Sequence, residues 1–147
     1  MAEQKFRAVD ILLVEDNPGD VRLVQEILRG IAIPTTLHAV ASGEAALAFV
    51  RHEGEYRQAP RPDVIFLDLH LPGMDGVQVF AALRQDPALR AIPVAVYIGQ
   101  AGLEKEQLAA LGPVRAYLRK SVTLDHCQYV EVLEGIQREQ EAALSQQ

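Results

Sequence analysis

Two apolar runs in this chain end on acids. Val64-Ile65-Phe66-Leu67 runs into Asp68, and Ile11-Leu12-Leu13-Val14 runs into Glu15-Asp16. A short, uninterrupted apolar run reads as a strand buried on both faces, which is how a central parallel strand looks. Pro72, Gly73 and Gly76 mark a loop after Asp68, and Asn17-Pro18-Gly19-Asp20 marks a loop and helix start after Asp16. In open α/β sheets the ligand crevice lies outside the carboxyl ends of the strands. Taken singly, each acid group reads as a helix cap. Two groups at matched strand ends gather three carboxylates in one crevice, and like charges that close are unfavourable unless a cation joins them. A hard divalent ion with oxygen ligands, leaving room for waters and a phosphate, answers that need.

The elements that would position these acids alternate along the chain. Strands are expected at about 10–14, 35–40, 63–68, 94–98 and 114–118. Helices are expected after Asn17 up to a stop at Gly30, from an opening at Ser42, and at about 75–85, 103–111 and 123 to 138 or beyond. Asn17 is the N-cap of the first helix, with Pro18 at its first position, where a missing N–H costs nothing. Val21, Leu23, Val24, Ile27 and Leu28 form its apolar stripe. Ala46, Leu47 and Val50 face inward from the second helix; Val77, Phe80 and Leu83 from the third; Tyr129, Val132, Leu133 and Ile136 from the fifth. His52 to Pro62 reads as a surface loop carrying Tyr56, and the tail 139–147 as a polar end that frays. Five strand–helix alternations imply a parallel sheet covered on both faces.

Bulk properties bound the function. A chain of 147 residues makes one domain, burying roughly two-thirds of its unfolded surface. Net charge is −6, with no Lys/Arg cluster, which disfavours nucleic acid and anionic lipid as partners. The apolar runs are too short to span a membrane, and Met1 to Asp10 lacks an export signal. The single Cys127 cannot form an internal disulfide, which fits a reduced cytoplasm; it reads as a small core residue. His38, His52 and His126 have no evident partners and read as surface or structural.

The acid pair, the Asp68-Leu69-His70-Leu71-Pro72-Gly73-Met74-Asp75-Gly76 stretch and Tyr117-Leu118-Arg119-Lys120 together resemble a response-regulator receiver domain over residues 9–138. Residues 11–20 and His52-Glu53-Gly54-Glu55-Tyr56 resemble the stand-alone regulators that partner bacterial phytochromes and related histidine kinases. The resemblance implies a flavodoxin-like (CheY-like) doubly wound sheet of order 2-1-3-4-5 with five helices. It implies that Asp68 takes a phosphoryl group from a kinase phosphohistidine. Mg²⁺ would be held by Asp16, Asp68 and the backbone carbonyl of His70, with Glu15 acting through a water. Lys120 would pair with the phosphoryl oxygens and offset the acids at rest. A positioned nucleophile, a metal and a fixed cation are what phosphoryl transfer asks for. The His70 side chain is read as a gatekeeper or surface group rather than a metal ligand.

The sequence also departs from the family. Where the fourth strand should end in Thr or Ser and then a small residue, it has Ile98 and Gly99. Isoleucine has no donor and is stiff at χ1. Losing that charge-assisted hydrogen bond would weaken a phosphorylated state by about 1.5–3 kcal/mol. Tyr117, the family's switch aromatic, would have no hydroxyl to follow inward, with Tyr97 or Gln100 as compensating candidates. Ser121 stands where the family has Pro.

The expectation is a cytoplasmic single-domain regulator, a phosphoacceptor rather than an enzyme, acting through partner binding. A sensor histidine kinase is its partner, with a phytochrome among the candidates. The fourth helix, fifth strand and fifth helix would carry a homodimer contact. The competing reading is a phosphorylation-independent interaction module. An aspartate-nucleophile phosphatase would need Asp-x-Asp, whereas Asp68-Leu69-His70 is present. A flavodoxin would need a phosphate-cradling loop after the first strand.

Overall fold

A computed structural model describes residues 7–98, 104–120 and 126–145. Gly99, Gln100 and Ser121, singled out above, lie outside the described residues. The elements run β1 (Val9–Val14), α1 (Pro18–Arg29), β2 (Thr35–Val40), α2 (Gly43–Arg51), a 3₁₀ turn (Gly54–Tyr56) and β3 (Val64–Asp68). They continue with α3 (Gly76–Gln85), β4 (Val94–Tyr97), α4 (Glu104–Leu111), β5 (Ala116–Leu118) and α5 (Cys127–Ser145). Five strands pair in parallel in the order β2-β1-β3-β4-β5, the flavodoxin-like arrangement.

Alternation along the central strands splits the core in two. Ile65 and Leu67 of β3 point toward α2, α3 and α4, where Leu47, Val50, Phe80, Leu83 and Leu108 are buried. Val64 and Phe66 point the other way, toward α1 and α5, onto Val24, Ile27, Leu28, Leu133 and Ile136. The helix starts form as their caps dictate. The Asn17 side chain accepts from Gly19 and Asp20 amides, and Ser42 accepts from Ala45. Asp75 forms a reciprocal capping box with Gln78.

Several readings of the sequence are corrected. With Asp75 as the cap, α3 begins at Gly76; the face it turns to the core carries Gly76, Val79, Phe80 and Leu83, and Val77 is only half-buried. Gly76 is held against the end of β3: a Cβ there would stand 2.5 Å from the Asp68 carbonyl oxygen and from Leu69 Cα. Cys127 is exposed, lying off the helical stripe of Tyr129, Val132, Leu133 and Ile136. Tyr56 packs its ring 5.3 Å from Phe49 and is half-buried against the core. His38 is not partnerless: its Nε2 lies 3.1 Å from Asp10 Oδ1 and its ring tilts on Phe49. β4 stops at Tyr97, one residue before Ile98. Residues 139–145 continue α5 as helix, a run of good helix formers braced where Arg115 Nη1 meets Glu139 Oε2 at 2.6 Å.

Candidate functional site

Strand register brings the acids together. β1 and β3 are neighbours with Val14 opposite Leu67, so Glu15 and Asp68 emerge side by side at the carboxyl edge. Glu15 and Asp68 are buried while Asp16 is exposed. One carboxylate oxygen from each of Glu15, Asp16 and Asp68 lies within 4.8 Å of the others. Asp68 Oδ1 accepts the His70 amide N–H at 3.0 Å, and Glu15 Oε2 accepts the Asn17 amide at 3.1 Å. The His70 side chain is exposed beside the crevice.

Lys120 enters from the far end of β5. Its Nζ lies 3.0 Å from Asp68 Oδ2 and 3.0 Å from Asp20 Oδ2, and it pairs directly with Glu15 Oε1. Burial pulls the ammonium's pKa down, but hydrogen bonds to Glu15, Asp20 and Asp68 outweigh it and hold the group above the usual lysine value. Burial pushes Glu15 up from the ordinary carboxylate range; the Lys120 hydrogen bond and the Asn17 amide oppose that, and the Asp68 charge adds to it. In the sequence Asp20 stands only as part of a helix start. Its position in the first turn of α1, just past the acid pair, was the one available signal.

Behind this pocket lies a buried aromatic layer. Tyr97 and Tyr129 share a hydroxyl–hydroxyl hydrogen bond of 2.8 Å, and Lys120 Nζ stands 5.6 Å from the Tyr97 ring centroid. Burial, with Tyr129 and the acids Glu15 and Asp68 adding to it, raises the Tyr97 phenol well above its ordinary pKa. Ile98 points to the other sheet face, half-buried, with Tyr117 and Val114 against the same core. Its amide donates to Leu118 O at 3.0 Å. Lys105 Nζ of α4 stands 5.0 Å from the half-buried Tyr117 ring.

Glu15, Asp16, Asp20 and Asp68 thus face a single described ammonium, leaving surplus negative charge on hard oxygen donors. That donor set suits a divalent cation of the Mg²⁺ or Mn²⁺ kind rather than a soft metal. Among the described residues, no helix is long and apolar enough to cross a membrane.

Residues 11–129 match the family described as the response regulator receiver domain. The chain is 50% identical over 86 residues to the response regulator Rcp1 of Synechocystis sp.. That alignment covers 58% of this chain and 58% of the relative, so it spans less than two-thirds of that protein's length. The solved structure of the Mn²⁺-bound form of Rcp1 superposes with a TM-score of 0.71 at 39% identity, covering 88% of this chain and 89% of the other. The phosphorylated cyanobacterial phytochrome response regulator RcpA gives a TM-score of 0.71 at 37% identity, covering 96% and 97%.

Proposed function

This chain belongs to the response regulator receiver domain family, and on that footing we propose that it is a phosphoacceptor of two-component signalling, with Asp68 taking the phosphoryl group. The observation that carries the reading is Asp68 itself. It is a buried carboxylate at a strand end, with one oxygen on the His70 amide and the other on Lys120. An Asp68 oxygen attacks the phosphorus of a kinase phosphohistidine; the O–P bond forms as the N–P bond breaks, and the imidazole leaves. Lys120 faces the transferred oxygens as fixed positive charge, and Asp20 keeps that ammonium at the crevice mouth. Asp16, Asp68 and the His70 carbonyl would hold Mg²⁺, with Glu15 acting through a water. The ion would supply positive charge to the oxygens of the phosphoryl group. The chain is an acceptor that loses its phosphoryl group to water, not an enzyme turning over a separate substrate.

The kinase partner is a sensor histidine kinase, and the likeness to a phytochrome response regulator supports a phytochrome-type one. A cytoplasmic location follows from that role. A homodimer through α4, β5 and α5 fits β5 standing at the sheet edge beside the charged residues Arg115, Glu131, Arg138 and Glu139. One observation favours the second reading, a phosphorylation-independent interaction module: Ile98 supplies no hydroxyl to a phosphoryl group.

The deciding experiment treats wild type and Asp68→Asn with a small phosphodonor and Mg²⁺ and reads intact mass. A gain of about 80 Da, one phosphoryl group, in wild type alone supports the phosphoacceptor. No gain with either phosphodonor or cognate kinase overturns it in favour of the interaction module.

A further inference from the structure

The side chain that shares register with the acceptor is not residue 98 but Tyr97. Asp68 lies opposite Tyr97, and Tyr97 opposite Leu118, two residues before Lys120. Alternation puts Tyr97 on the sheet face covered by α1 and α5, while Ile98 goes to the other face. Lys120 joins Tyr97 from the end of β5, its Nζ 5.6 Å from the ring centroid, within the range where an ammonium is held by an aromatic face. The ring is not free to turn away. It is buried, its hydroxyl is tied to Tyr129 at 2.8 Å, and Phe66 stands edge-on to both rings, with centroids at 6.5 and 5.6 Å. Tyr129 belongs to the first turn of α5, the helix that with α1 covers this sheet face.

We propose that Tyr97 is a positioning residue for the Lys120 ammonium, and that the Tyr97–Tyr129 hydroxyl pair passes displacement of that ammonium to α5. The functional meaning of this link rests on the phosphoacceptor reading. Lys120 is shared among Glu15, Asp20 and Asp68, so any group that engages Asp68 changes which carboxylates hold the ammonium. Its place over the ring changes with them. Two buried rings joined by a short hydrogen bond form a stiff connection, and the side chain at its far end is an α5 core residue.

The test needs neither metal nor phosphodonor. In the full chain, the ε-methylene resonance of Lys120 should be shifted upfield by the ring. The shift should persist in Tyr97→Phe, which keeps the ring, and vanish in Tyr97→Leu; its absence from wild type overturns the positioning role. For the link, amide spectra compare wild type with Lys120→Met, whose change should move amides of residues 127–133. In a Tyr97→Phe/Tyr129→Phe background, which leaves no orphaned hydroxyl, the same change should move them several-fold less, while shifts at residues 66–70 persist. Equal α5 shifts in both backgrounds, or none in either, overturn the link. Because these spectra require no phosphorylation, their failure is distinct from a missing mass gain, which would sink only the phosphoacceptor reading.

Discussion

Lys120 and Asp20 are one hundred residues apart in the chain and 3.0 Å apart in space. Asp20 sits in the first turn of α1, so the ammonium is drawn outward toward a helix start as well as inward toward Glu15 and Asp68. This division of one cation among three acids makes the pocket's charge balance sensitive to each of them.

Asp20→Asn removes the outermost partner. Lys120 then competes harder for Glu15 and Asp68, and the pocket carries less negative charge. Calorimetric titration should show Mg²⁺ affinity falling by up to about fivefold, the roughly 1 kcal/mol upper end for a half-exposed ion pair. Unchanged or tighter binding would mean Asp20 has no part in the balance.

Lys120→Met leaves the buried Glu15 and Asp68 carboxylates without their ammonium. Breaking a buried pair from one side costs about 3 kcal/mol, so Tm should drop by several degrees. Mg²⁺ should restore more of that loss than it adds to wild type, since an ion bound only by the folded state stabilises it. A thermal melt with and without Mg²⁺ checks both expectations.

Ile98→Thr returns a hydroxyl to the end of β4, at a half-buried position beside Tyr117. If Asp68 is phosphorylated, one charge-assisted hydrogen bond of about 1.5 kcal/mol or more should raise the ratio of phosphorylated to unphosphorylated protein at equilibrium with a phosphodonor about tenfold. Intact mass over time gives the fraction, and no rise would show that the hydroxyl cannot reach the phosphoryl group from this backbone.

Gly76→Ala forces a methyl against backbone, 2.5 Å from Asp68 O and Leu69 Cα. Neither neighbour is a flexible side-chain end. The start of α3 must move away from β3, at about 1–3 kcal/mol, read as a lowered urea midpoint with unchanged slope. A neutral outcome would mean the α3 start can slide freely.

The buried phenol of Tyr97 makes stability fall at alkaline pH. Its folded pKa is raised, so the unfolded chain loses the proton first. The contribution is fully present below the unfolded value of about 10 and is lost as pH rises from there toward the folded value. Stability above that onset should decline less steeply in Tyr97→Phe, measured by urea midpoints across the alkaline range. Parallel declines in the two proteins would place the effect elsewhere.

What the sequence determined by itself is local. Apolar runs of strand length, Asn17, Ser42 and Asp75 at helix starts, and the acids closing β1 and β3 are all set by neighbours a few residues away. The strand–helix alternation then leaves few topologies, and the sheet order 2-1-3-4-5 was legible from the resemblance those motifs carry. In α3 the buried stripe is Gly76, Val79, Phe80 and Leu83, at i, i+3, i+4 and i+7, and Val77 lies at its flank; an expectation built on i, i+3 spacing alone takes Val77 for Val79. Side-chain pairs between distant elements were illegible for a different reason. Asp20 with Lys120, Tyr97 with Tyr129 and His38 with Asp10 depend on strand register and on how α1 and α5 settle against one sheet face. Only tertiary packing decides those distances, and it placed Tyr97 rather than Ile98 beside the acids by the alternation of a single strand.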